Sequence, residues 1–202
     1  MNCYLATHFQ SIVASFSTGR VLDRPNEGKS KKKEMTRTVD YATRSDFCKV
    51  FDDHIDDLYT LSFLLTADHQ KAEQCFVSGL QDCLQGNAVF REWAQSWAKR
   101  VVIKNAIRMI SPLRNEPETA PGIAEPASEA DGVAGAITSL QPFDRFAYVL
   151  SVLEHYADRE CSILLDCTVE KVVEARIRAL QRLATANFRK GAAEITLTRG
   201  AA

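Results

Sequence analysis

The sequence lacks the patterns on which most catalysts and metal proteins depend. It has no glycine-rich phosphate loop and no dinucleotide-binding glycine turn. Its four histidines, His8, His54, His69 and His155, have no surrounding motif that nominates a base or a ligand, and His54, beside an apolar stripe, reads as a core histidine. The six cysteines, Cys3, Cys48, Cys75, Cys83, Cys161 and Cys167, include no Cys-x-x-Cys pair and no histidine pair at zinc-finger distance. They read as reduced, mostly buried thiols. No apolar run is long enough to span a bilayer, and the first residues lack the basic start and apolar stretch of a secretion signal. Neither sign of charge dominates, because the formal net charge is -1. Attraction to nucleic acid therefore has to come from local patches. These absences point to a cytoplasmic protein that is not an enzyme, carries no cofactor or metal and does not enter a membrane.

What is present is enough apolar matter for packed cores, 46% of the 202 residues, in one or two modest domains. Residues 1–45 have weak periodicity and a basic cluster, Lys29, Lys31, Lys32 and Lys33, which reads as a solvated tail; Met35 is an alternative start. From Phe47 the apolar residues Val50, Phe51, Ile55, Leu58, Leu61 and Leu65 follow at helical spacing, with Asp52, Asp53, Asp56 and Asp57 largely outside the stripe. Asp68 is placed to cap a second helix with inner residues Ala72, Cys75, Phe76, Gly79, Leu80 and Cys83, ending at a left-handed turn near Gly86-Asn87. A third helix is expected from about Val89 to Ile110, with Trp93, Trp97, Val101 and Val102 inside and Arg91, Lys99, Arg100, Lys104 and Arg108 giving it a basic surface.

Repeated prolines then break the pattern across 111–132, which reads as a flexible linker. Helical spacing resumes with Leu140, Phe143, Phe146, Ala147, Leu150 and Leu153, and Pro142 suits a first helical turn. A short helix capped by Asp158, a break at Asp166-Cys167-Thr168 and a helix from Val169 to about Asn187 compose a helix-turn-helix. Thr168 is a good N-cap, and Asp166 stands where positive φ is wanted. A helical wheel puts Val169, Val172, Val173, Ile177, Leu180 and Leu183 inside and Lys171, Glu174, Ala175, Arg178, Gln181 and Arg182 outside. Arg176 falls within the apolar stripe and needs a carboxylate, for which Glu160 is the candidate. The expected fold is all-α: two small helical domains, 46–110 and 133–190, joined by a flexible linker and followed by a tail at 191–202.

The order of these parts resembles a known family. Leu140-Gln141-Pro142-Phe143-Asp144-Arg145, Glu160-Cys161-Ser162, Cys167-Thr168-Val169 and Arg178-Ala179 to Leu183 resemble the fourth conserved region of extracytoplasmic-function sigma factors. Leu58 to Leu65, Ala72-Glu73, Phe76, Leu80, Phe90-Arg91-Glu92-Trp93 and Ala98-Lys99-Arg100 resemble the second. The resemblance implies a transcription initiation protein that binds core RNA polymerase and promoter DNA, with an anti-sigma protein as a further partner. It implies promoter opening by Lys99, Arg100, Lys104 and Arg108, polymerase docking by Glu73, Gln74, Val77, Ser78 and Gln81, and reading of duplex DNA by Thr168, Lys171, Glu174, Arg178 and Arg182. The chain departs from the family at Gln74 and Val77-Ser78, which replace an acid and an amide-acid pair, and at Val173 and Ala175, which replace a basic pair. Glu170 and Glu174 add charge that phosphate repels. Two alternatives follow: a sigma-derived interaction regulator that no longer binds promoters, and a regulator of the LuxR kind, against which the lack of strand alternation in 46–110 argues.

Overall fold

The computed structural model describes residues 40–86, 88–113 and 132–199, with side chains to 186. The tail and alternative start expected within 1–39, and the linker at 114–131, lie outside the described residues. The described chain is all-α, and its one sheet-like feature is the isolated bridge between Tyr41 and Phe90.

Local chemistry sets most helix ends. Helix α1, Arg44–Asp53, starts from a reciprocal cap: Thr43 Oγ1 accepts from the Asp46 N–H at 3.2 Å, and Asp46 Oδ2 accepts from the Thr43 N–H at 2.8 Å. These bonds, with smaller help from Arg91, hold the Asp46 carboxyl below the usual carboxylate range. The sequence predicts one helix from Phe47 through Leu65. The structure divides it at His54 (φ -121°, ψ 28°), so that α2, Ile55–Thr66, has its own N-terminus with Asp56 and Asp57 in the favourable first turn. Helix α3, His69–Gln85, is capped as expected, the Lys71 N–H donating to Asp68 Oδ1 at 2.8 Å, and its inner stripe is buried as expected. A Cβ at Gly79 would lie 2.9 Å from Val102 Cγ2, so the missing side chain is what lets α3 lie close against the next helix. Gly86 is extended (φ -77°, ψ -174°) rather than left-handed.

The third helix starts later than the spacing predicts. Val89 and Phe90 are drawn into the antiparallel bridge, with the Ala42 N–H donating to Val89 O at 2.8 Å and the Arg91 N–H to Asp40 O at 2.9 Å. A single 3-10 turn, Arg91–Trp93, leads into α4, Ala94–Ile110. The buried face of α4 is Ala94, Ala98, Val101, Val102, Ile103 and Ala106, which turns Trp93 outward at 55% exposure and leaves Trp97 half-buried. The expectation that the indoles sit in the core is thereby corrected for Trp93, while Trp97 packs against the core with part of its surface exposed. Small alanines permit the tight α3–α4 packing that bulky indoles would prevent.

From residue 132 come α5, Gly132–Thr138; α6, Pro142–Tyr148, with Pro142 in its first turn; a π-helical turn, Val149–Leu153; α7, Asp158–Leu165; and α8, Val169–Arg199. Asp166 is left-handed (φ 53°, ψ 50°), as its place in the turn requires. Thr168 Oγ1 accepts a long 3.4 Å bond from the Lys171 N–H. Asp158 does not cap α7; Ala157 is at the N-cap, its N–H donating to Glu160 Oε2 at 3.1 Å.

The halves on either side of the linker are packed together, with α2 against α5 and α6. At their junction Arg145 is 5% exposed. Its Nε and Nη2 donate to Leu65 O at 3.2 and 3.1 Å, and its Nη1 donates to Thr138 O and Leu140 O at 3.1 and 3.0 Å. These carbonyls lie at or just past the C-terminal ends of α2 and α5, where helix dipoles favour a cation. Burial lowers the guanidinium to about 10, which still leaves it charged at neutral pH.

Candidate nucleic-acid interface

Trp93, Trp97, Arg100 and Lys104 follow one another at intervals of four, three and four residues, so they form one stripe along α4 and the turn before it. The sequence places cations next to these aromatics on one helix but predicts both indoles on its inner side; the structure puts Trp93 outside with Arg100 and Lys104. The stripe begins in an aromatic series: Tyr41 stacks on Phe90 (centroids 5.3 Å apart, planes 13° apart), and Phe90 meets Trp93 edge-on at 4.9 Å. Tyr41 is 48% exposed. The Lys104 ammonium lies 5.9 Å from the Trp97 ring centre, within cation–π range. Phe90 belongs to the Phe90-Arg91-Glu92-Trp93 motif of the sequence, but no local pattern singles out Tyr41, which only the bridge across the chain brings to Phe90.

The four cations expected to open a promoter have different surroundings. Lys99 Nζ donates to Glu154 Oε2 at 2.8 Å, across the junction between the halves. Arg108 Nη2 donates to Asp82 Oδ2 at 2.6 Å and to Asn105 Oδ1 at 2.7 Å, tying α4 to α3. Arg100 and Lys104 are the two that accompany the indoles. The stripe forms one wall of a cleft of about 490 Å³, which Glu154, His155, Tyr156 and Glu160 line from the other half. His155 has a left-handed backbone (φ 57°), a conformation that costs a non-glycine residue energy. Burial raises the Tyr156 phenol, which Arg100 partly offsets.

The α8 helix is rotated from its predicted phase. Val172, Ala175 and Ala179 are buried and Leu183 is partly so, whereas Ile177 and Leu180 are 48% and 45% exposed. Ala175, expected outside, is inside because two small residues one above the other let α8 approach α6. Arg178 donates from Nε and Nη2 to Asp144 Oδ1 at 3.0 and 2.7 Å, and Arg182 Nη1 lies 3.2 Å from Asp144 Oδ2. The Asp144 side chain is 3% exposed. Arg176 does find a carboxylate, but it is Asp158, two residues before the expected Glu160. Thr168, Lys171 and Glu174 are exposed, with Ile177 and Gln181 beside them on the outer face.

Glu73, Gln74, Val77, Ser78 and Gln81 lie together on the side of α3 turned from the core; Gln74 and Gln81 are exposed and the other three half-buried. Cys75, Cys83 and Cys161 are buried free thiols, pushed by burial to about 11, 12 and 11. Among the described residues no group of histidine, cysteine and acidic side chains is arranged to hold a metal, and no helix is long and apolar enough to cross a membrane.

The fold and the site define an all-α protein with an aromatic and cationic stripe at the junction of its two halves. No protein-family profile matches the sequence, and no curated protein matches it. Among solved structures, it is similar to the co-crystal structure of the sigma factor RpoE in complex with the anti-sigma factor NepR from Bartonella quintana. The TM-score is 0.42 and the identity 16%, over 69% of this chain and 94% of that one.

Proposed function

We propose that this chain is a sigma-factor-like transcription initiation protein that binds core RNA polymerase and promoter DNA. The observation that carries the reading is the stripe of Trp93, Trp97, Arg100 and Lys104 on α4, extended by Tyr41 and Phe90. Exposed aromatic faces stack unpaired bases, and cations at helical spacing between them take the phosphates of the same strand, which is the chemistry of holding an opened promoter. Lys99 and Arg108 flank the stripe and add to its positive field once their carboxylates are exchanged for phosphate. On this reading residues 46–110 and 133–190 are the two working domains. In the second, α7 and α8 act as a helix-turn-helix, with Thr168, Lys171 and Glu174 nearest the duplex and Arg178 and Arg182 at its edge. The outer side of α3, with Glu73, Gln74, Val77, Ser78 and Gln81, docks on the polymerase.

A second reading is favoured by one observation on α8. Asp144 engages Arg178 and Arg182, while Ile177 and Leu180 leave apolar surface where a duplex reader needs polar groups. That surface suits a protein partner, such as an anti-sigma protein, and describes a sigma-derived regulator that acts without reading promoters. The deciding experiment is co-purification of the tagged full chain with core polymerase, followed by selection from random duplexes. Retention of polymerase with a selected sequence supports initiation; retention without selection supports the interaction regulator; no retention removes initiation and leaves the interaction regulator or a simple helix-turn-helix regulator.

A further inference from the structure

The cleft between the halves has walls of two chemistries, and together they match one kind of base. The α4 wall supplies the indoles of Trp93 and Trp97 with Ser96 and Arg100. The facing wall supplies carboxylates, Glu154 and Glu160, with His155 and Tyr156. The Glu154 carboxylate is engaged by Lys99. Glu160 differs: its Oε2 accepts from the Ala157 N–H, which holds the carboxylate at the first turn of α7, and the residue lines the cleft. A fixed carboxylate only accepts hydrogen bonds, so a base opposite it has to present donors. Guanine presents two adjacent ones, N1–H and the exocyclic amine; cytosine presents its amine beside an acceptor; adenine places an acceptor next to its single amine. A volume of about 490 Å³ at a junction between halves is in the ordinary range for a small-molecule site.

We infer that this cleft binds a guanine nucleotide, its base stacked on Trp93, its donor edge on Glu160 and its phosphate on Arg100. The inference deepens the strand-binding reading and rests on it for the stacking role of Trp93. The same chemistry comes from two sources, a free guanine nucleotide or a guanine within a single DNA strand. Either one bridges α4 to α7, so occupancy stabilises the packing of the halves held by Arg145 and by Lys99 with Glu154.

The experiment is equilibrium dialysis of the full chain against guanosine, cytidine and adenosine 5′-monophosphates and inorganic phosphate. Alongside these run two single strands, one all thymine and one with a single guanine in the same thymine context. The expected result is saturable one-to-one binding of guanylate, about tenfold or more tighter than adenylate or cytidylate because a paired donor edge is at stake. Trp93→Ala lowers guanylate binding about tenfold or more. Glu160→Gln keeps the bond to Ala157 but removes the guanine preference, and circular dichroism checks that both variants fold. If only the guanine-containing strand gains over all thymine, the site is assigned to DNA; if guanylate itself saturates, it is assigned to the free nucleotide. Equal binding of guanylate and adenylate, or a guanine preference that survives Glu160→Gln, overturns the inference. Binding of the all-thymine strand with no gain from guanine in either form overturns it while leaving the strand-binding reading intact. Failure of both strands to bind removes that reading too.

Discussion

Helices α4 and α8 look alike as strings of letters, each an amphipathic helix studded with arginine and lysine, yet their cations have different surroundings. On α8 the arginines Arg176, Arg178 and Arg182 all meet carboxylates, supplied by Asp158 at the start of α7 and by the buried Asp144 of α6. On α4 the cations at the edges, Lys99 and Arg108, meet Glu154 and Asp82, while Arg100 and Lys104 run with Trp93 and Trp97 along one face. What separates these cations is thus the chemistry of the elements packed beside them. Counting charges along a helix does not reveal this.

The largest effect expected from breaking this arrangement is at Arg145. Arg145→Met removes donors to Leu65, Thr138 and Leu140 and strands their carbonyls at the junction. Urea denaturation should show a loss of about 3 kcal/mol or more. A loss below about 1 kcal/mol would mean that the halves do not depend on that contact. Asp144→Asn comes next. It removes the Asp144 charge that both Arg178 and Arg182 meet, and because both arginines are nearly half exposed the expected loss is about 2–3 kcal/mol, less than for a wholly buried pair. The same variant sharpens the comparison: with Asp144 neutral, α8 should gain salt-sensitive DNA binding, and no gain would assign its arginines to structure alone.

Gly79→Ala tests the close approach of α3 to α4. A Cβ there meets Val102 Cγ2 at 2.9 Å, so overpacking should cost about 1–3 kcal/mol in thermal or urea unfolding. The smallest effect is at the cap of α1. The Asp46 carboxyl is held below the usual carboxylate range by the Thr43 backbone and side-chain bonds, so its contribution is present above that range and fades as pH falls through the lower folded value. The stability difference between the native chain and Asp46→Asn should therefore shrink in strong acid. A difference that is the same in strong acid and at neutral pH would mean the ionised carboxylate is not what caps the helix.

What was legible in the sequence was local. The all-α class, the inner stripe of α3, the Asp68 cap, the first-turn Pro142 and the left-handed Asp166 all depend on residues within a few positions of one another. What was not legible depends on distant partners. The late start of α4 and the exposure of Trp93 follow from pairing of Phe90 with Tyr41. The junction between the halves depends on Arg145 reaching Leu65, 80 residues away, and Lys99 reaching Glu154, 55 away. Two signals were nevertheless available: the four-three-four spacing of Trp93, Trp97, Arg100 and Lys104, and the buried-face alanines Ala175 and Ala179 flanked by Arg178 and Arg182, which already marked the inner face of α8 as the small one.

The central claim is that the α4 stripe holds a single strand by stacking on exposed aromatic rings and by phosphate contacts. The most direct measurement is the affinity of the full chain for an all-thymine single strand at two salt concentrations, compared with Trp93→Ala and Lys104→Gln. The account predicts a loss of about 1–3 kcal/mol in Trp93→Ala with the salt dependence unchanged, and a shallower salt dependence in Lys104→Gln. Affinity unchanged in Trp93→Ala, in a chain that remains folded, would contradict it.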